Sequence, residues 1–295
     1  MSGVPSRVRL IRGQVDRFQR ALQGVEGGDV TALHRARVAT RRLRELVPLM
    51  QLQGSTAHKL SRRLRTFTAR LGTIRESDVL LGLVDELHAE RRASSEVLAR
   101  VGMALARDRD DARRRALERL PLAGMRRLAR KLRGIADDLE SEPLRNTRAV
   151  RWAIDARIAR RASRLAEALS HAGAVYLPER LHAARIAVKK LRYVLEAAGQ
   201  LSDTRVRDDI AVLRRVQDAL GRMHDLQVLI ERVRGVQAIV TPPTVTLWSS
   251  LDLLIRQLDD ECRRLHARYM RARPQLQAMA ERLSGASTSR KERAG

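Results

Sequence analysis

The chain has 295 residues, 59 of them Lys or Arg against 34 Asp or Glu, and its net charge of +25 calls for an anionic partner. At 44% hydrophobic it can bury a sizeable core, which excludes a disordered basic tail. A single cysteine, Cys262, excludes a disulfide framework and a cysteine-rich metal site, and no apolar run reaches the ~18 residues needed to span a bilayer.

Nucleic acid, an anionic membrane and polyphosphate all satisfy the charge. The aromatic fraction is only 2%, which argues against the stacking platforms of single-strand nucleic-acid binders. It does not argue against a binder of the phosphate backbone. The N-terminal stretch lacks the apolar centre of a signal peptide, so the expected location is cytoplasmic.

Apolar residues recur at helical spacing from end to end, among Leu, Ala, Arg and Glu, so the predicted fold is all-α. In chain order, glycine and proline predict breaks at Gly24 to Asp29, Pro48 to Ser55, Leu120 to Gly124, Ser141 to Asn146, Gly173 to Pro178 and Thr241 to Pro243. Between them lie helical segments of roughly 15 to 30 residues. Residues 284–295 are small and polar and read as a frayed tail.

The first segment after Asp29 is repeated later. Leu33 to Arg44 reappears as Leu181 to Arg192 at an offset of 148 residues. Leu71-Gly72 and Val79-Leu80 are echoed by Leu220-Gly221 and Val228-Leu229 at an offset of 149. Residues 5–283 therefore read as one domain of two related halves, about 5–148 and 149–283.

On a helical wheel, His34, Arg37, Arg41 and Arg44 fall within about 80° of arc, opposite Ala36, Ala39, Leu43, Leu46, Val47 and Met50. Arg42 stands apart from both stripes. The second copy places His182, Arg185, Lys189 and Arg192 on one stripe, with Tyr193 and Glu196 close by. Each row of four spans roughly 15 Å, which suits an extended polyanion better than one compact phosphate.

A cationic stripe on an amphipathic helix is commonly a solvated face. Two copies in register point instead to a shared ligand, because like charges at i, i+3 and i+7 cost stability unless something offsets them. Glu45, Glu76, Asp78, Glu196 and Asp225 are the candidate internal partners. His34 and His182 either serve the structure or donate hydrogen bonds to phosphate oxygens. No His-Glu-x-x-His spacing and no Cys/His/carboxylate cluster accompanies them, so neither a metal nor a cofactor is expected.

The doubled pattern His-x-x-Arg-x-x-x-(Arg/Lys)-(Arg/Lys)-x-Arg resembles the CHAD domain, the conserved histidine α-helical domain. The stretch from Leu71-Gly72 through Arg75-Glu76 to Asp78-Val79-Leu80 resembles the segment after the first family helix, with Glu76 where Asp is usual. Leu213 to Leu229, including Gln217-Asp218-Ala219-Leu220-Gly221 and Asp225, resembles its second-half counterpart, with His224 where Asn is common. The resemblance implies two pseudosymmetric bundles of about four helices each, with a basic groove or pore between them.

It also implies binding of inorganic polyphosphate and, for bacterial members, association with polyphosphate granules. Carried over position by position, the binding residues are His34, Arg37, Arg41, Arg42, Arg44, His182, Arg185, Lys189, Lys190 and Arg192. Arg62, Arg63, Arg65, Arg214, Arg215 and Arg222 are secondary candidates for anion binding. The clusters Arg126, Arg127, Arg130, Lys131, Arg133 and Arg157, Arg160, Arg161, Arg164 serve either binding or solubility.

No phosphate-binding Gly-rich loop, nucleophile elbow or Glu-x-Glu-x-Lys strand motif is present, so the expected activity is binding without catalysis. The alternatives are a nucleic-acid backbone binder, a polyphosphate hydrolase using His34 or His182 with Glu76, Asp78 or Asp225, and a scaffold for acidic proteins.

Overall fold

A computed structural model describes residues 6–27, 29–50, 52, 54–141, 147–201, 206–239 and 245–285. They form ten α-helices and no strand: α1 (Ser6–Glu26), α2 (Val30–Leu46), α3 (Gly54–Arg70), α4 (Gly72–Ala89), α5 (Ser95–Glu118), α6 (Leu122–Ser141), α7 (Thr147–His171), α8 (Pro178–Leu201), α9 (Arg207–Ala238) and α10 (Val245–Gly285). The predicted tail beyond α10 lies outside the described residues, whereas Ser284 and Gly285 complete α10 itself. Most of the predicted breaks at Ser141 to Asn146 and at Thr241 to Pro243 also lies outside them.

The predicted apolar stripe is buried: Ala36, Ala39, Leu43 and Leu46 of α2 belong to the core, as do Val47 and Met50 in the 3-10 turn that follows it. On α8 the expected apolar side is Ala184, Ala187, Leu191, Val194, Leu195 and Ala198; all are buried except Ala187, which is half-buried against the core. Asp29 starts α2 by accepting a hydrogen bond from the Thr31 amide at 2.8 Å, satisfying one of the free amides at a helix start. Gly24 lets α1 and α2 approach closely, since a Cβ there would stand 2.8 Å from Ala32 Cβ.

In the second half, α7 packs on α8, α8 on α9, α9 on α10 and α10 back on α7, closing a four-helix bundle. In the first half, α1, α2, α3 and α6 close a similar ring. The repeat offset lays α9 over α3 and α4, and α10 over α5 and α6. The helices α9 and α10 are thus each two helices in the first half, which has six α-helices rather than about four.

One break comes from Pro121, whose missing amide and bulky ring cannot continue α5. The other falls at Leu71-Gly72, although the equivalent Leu220-Gly221 lies inside α9, so the dipeptide does not itself decide. The freed α4–α5 hairpin leans across onto α9 and α10. Arg222 of α9 grips Glu86 of α4 with two hydrogen bonds of 2.6 and 2.7 Å, and Arg232 reaches Asp108 of α5 at 3.2 Å.

The turn between α4 and α5 carries no glycine. Arg91 takes the left-handed position at φ 53°. The Arg91 and Arg92 amides close back on the His88 and Leu87 carbonyls at 3.1 and 3.0 Å. Ser94 then caps α5.

Candidate polyanion-binding site

The helix α2 packs against α8, and the two basic faces meet there. Lys189 lies among Arg37, Arg41 and Arg44 of α2 and Arg185 of its own helix. Burial, followed by those four arginines, pushes its ammonium down to about 7. Loss of solvation is the larger cause, and the surrounding guanidinium groups add to it by disfavouring a further positive charge.

Asp225 approaches Arg185 only to 3.9 Å. Glu45 comes within 4.0 Å of Arg44 but accepts hydrogen bonds from Arg157 and Arg161 at 2.7 and 3.3 Å. The contacts between the two faces are reciprocal. Arg42 of α2 bears on Arg192 of α8, and Arg44 of α2 bears on Lys190 of α8.

Tyr193 joins the two faces. Arg41 lies over its ring at 4.8 Å and Arg192 at 4.7 Å. Arg192 is further held by Glu196 at 2.6 Å and Gln217 at 2.9 Å, so much of its hydrogen-bonding capacity is used within the fold. Beyond them, Arg42, Tyr193, Glu196 and Arg214 line a cavity of about 630 Å³ between α1, α2, α8 and α9.

His34 is exposed near the start of α2. His182 packs against His224 of α9, with ring centres 4.7 Å apart. Burial lowers both imidazoles, and Arg185 and Lys189 lower them further, His224 to about 4. Both are therefore neutral at physiological pH, each with one N–H to donate to an oxyanion. His224 belongs to this site although the sequence marked it only as standing where Asn is common, because only the packing of α9 on α8 brings it there.

The secondary candidates divide. Arg65 bears on Arg44 and extends the array. Arg62 and Arg63 turn towards α6. Arg214 donates to Glu196 at 3.0 Å and Arg215 is exposed. Arg222 is engaged by Glu86, as described above.

The two undecided clusters divide as well. Arg126 pairs with Glu26, and Arg133 with Asp16, across α6 and α1. Arg157 and Arg161 hold Glu45, which is 3% exposed, and so serve the core. Among the candidate partners, Glu76 and Asp78 are exposed. Among the described residues no three His, Cys, Asp or Glu side chains converge as metal ligands. No helix there is long and apolar enough to cross a membrane.

The fold is similar to several solved structures. One is PptA from Streptomyces chartreusis, at 18% identity and TM-score 0.64, covering 92% of this chain and 99% of that one. Another is the CHAD domain from the plant Ricinus communis, at 23% identity and TM-score 0.57, covering 89% and 91%. No curated protein matches the sequence. The CHAD domain profile matches residues 9–234, and the chain belongs to the CHAD domain family.

Proposed function

We propose that the protein binds inorganic polyphosphate along the array formed by α2 and α8, holds it without hydrolysing it, and is thereby carried to polyphosphate granules. The observation that carries this reading is Lys189, half-buried among Arg37, Arg41, Arg44 and Arg185 and depressed to about 7. Such an arrangement is costly unless an anion enters it. Arginine forks take phosphate oxygens two at a time, and the neutral imidazoles of His182 and His224 add donors at one end.

Family membership supports the same ligand, since the doubled motif is the one that CHAD domains use for polyphosphate. The low aromatic content offers few platforms for bases, which favours a ligand made of phosphates alone.

The test is a titration with long-chain polyphosphate at several salt concentrations, with duplex DNA as competitor. Affinity is expected to fall steeply with salt as counterions are released, and DNA to compete poorly. Equal competition by DNA supports a general phosphate-backbone binder instead. Orthophosphate release that persists through purification and disappears with His182→Ala contradicts binding without hydrolysis.

A further inference from the structure

We propose that the groove between α3 and the start of α6 is a second phosphate-binding site, separate from the α2–α8 array, which takes a short run of condensed phosphate groups. The groove has a volume of about 370 Å³. Arg62, Arg63 and Arg70 of α3 and Arg127 of α6 line it, and no acidic residue does. Phe67 and Gly124 form part of its apolar floor.

The charge imbalance is local and specific. Elsewhere on α6, Arg126 and Arg133 meet Glu26 and Asp16 of α1. By contrast, no carboxylate lies within ion-pairing distance of Arg62, Arg63 or Arg127 among the described residues. Arg70 donates to the Arg119 carbonyl at 3.4 Å, which keeps its guanidinium beside the groove. The first turn of α6 adds the partial positive charge of a helix start.

Four cations around one concavity repel each other, and a polyvalent anion relieves that repulsion. The volume admits several phosphate groups, and the forked guanidinium ions match their oxygens. Arg65, on the same helix, bears on Arg44 instead, so α3 serves two sites from different faces. The shared chemistry is a chain of bridged phosphates, supplied either by the end of a long polymer or by a free nucleoside triphosphate.

The experiment is calorimetric titration with tripolyphosphate, and separately with ATP, of the full chain carrying Arg41→Ala/Lys189→Ala to weaken the array. Two groove variants are then added singly to that background. Arg63→Glu/Arg127→Glu reverses exposed charges. Gly124→Asp places a carboxylate in the first turn of α6, where it favours the helix and where a Cβ meets nothing closer than 3.7 Å.

The expected result is saturable tripolyphosphate binding in the background, weakened roughly tenfold or more by either groove variant. The melting temperature of the Gly124→Asp protein should be unchanged or higher. ATP binding as tightly as tripolyphosphate identifies a nucleotide as the source of the phosphates, and weaker ATP binding identifies a polymer end. No binding in the background, or an affinity in both groove variants equal to that of the background, overturns the proposal. The central array is already altered in every sample, so either outcome leaves the reading of that array to its own test.

Discussion

The guanidinium of Arg41 lies 4.8 Å from the ring centre of Tyr193, so an arginine from the first repeat rests on an aromatic side chain from the second. Arg192 approaches the same ring at 4.7 Å. The tyrosine therefore sets where two cations point as well as filling space.

This contact gives the first prediction. Tyr193→Leu removes the ring and is expected to weaken polyphosphate binding by about 1 kcal/mol, since each cation–π contact contributes ~0.5–2 kcal/mol. Tyr193→Phe keeps the ring and should retain wild-type affinity. Equal losses in both variants, measured by the same titration, would point to the hydroxyl and contradict the positioning role.

The depressed ammonium of Lys189 gives a pH signature. At pH near 8 the free protein holds it mostly neutral, and an arriving polyanion raises its proton affinity. Binding should therefore take up as much as about one proton, and affinity should rise as pH falls from ~8.5 towards ~6. Arg37, Arg41, Arg44 and Arg185 stay charged throughout this range. His182 and His224, also depressed, add uptake at the acidic end. Calorimetry in two buffers of different ionisation enthalpy measures the uptake; an enthalpy independent of buffer contradicts it.

The same group governs the stability of the free protein, with the sign fixed by linkage. Lys189 titrates near 7 when folded and at an ordinary 10.5 when unfolded, so the unfolded chain binds more protons between those values. This contribution makes stability fall as pH drops from about 10.5 to about 7 and level off below. Lys189→Met should flatten this slope in denaturant melts across pH 7.5 to 9.5. A slope identical to wild type would mean that the lysine is not the group responsible.

Much of this was legible in the sequence, and its limits were physical. The helical period and the offset repeat gave the all-α fold, the stripes and their apolar backs. The α4–α5 turn was hidden because Arg91 occupies the left-handed position that glycine usually marks. The split of α3 from α4 was hidden because Leu71-Gly72 and Leu220-Gly221 are the same dipeptide with opposite outcomes. On the site, single-helix reasoning found Lys189 but not its pairing with α2. It did not place His224 at the site because that histidine reaches the array only through long-range packing. It left Arg157, Arg161 and Arg222 as candidates because their partners Glu45 and Glu86 lie far away in sequence.

Glu45 carries a stability prediction for the same reason. It is 3% exposed and accepts hydrogen bonds from Arg157 and Arg161. Glu45→Gln should destabilise the fold by about 3 kcal/mol, because it leaves two largely buried guanidinium groups without their anion. Thermal or urea melts check this; a loss below about 1 kcal/mol would mean that the arginines find other partners or water.

Arg222 supplies a contrast. Its bidentate bond to Glu86 joins α9 to the α4–α5 hairpin, and both side chains are partly exposed. Arg222→Ala should cost roughly 1 kcal/mol or less of stability and leave polyphosphate affinity unchanged. A clear loss of affinity in this variant would extend the binding surface along α9 from His224 to Arg222.

The central claim is that α2 and α8 hold one polyanion between them. The most direct test is long-chain polyphosphate binding to wild type and to Arg37→Ala/Arg41→Ala/Arg185→Ala/Lys189→Ala, at near-physiological salt with duplex DNA as competitor and folding confirmed by circular dichroism. The account predicts that wild type prefers polyphosphate and that the folded quadruple variant loses most of its affinity. Unchanged binding by the variant, or equal competition by DNA, would contradict it.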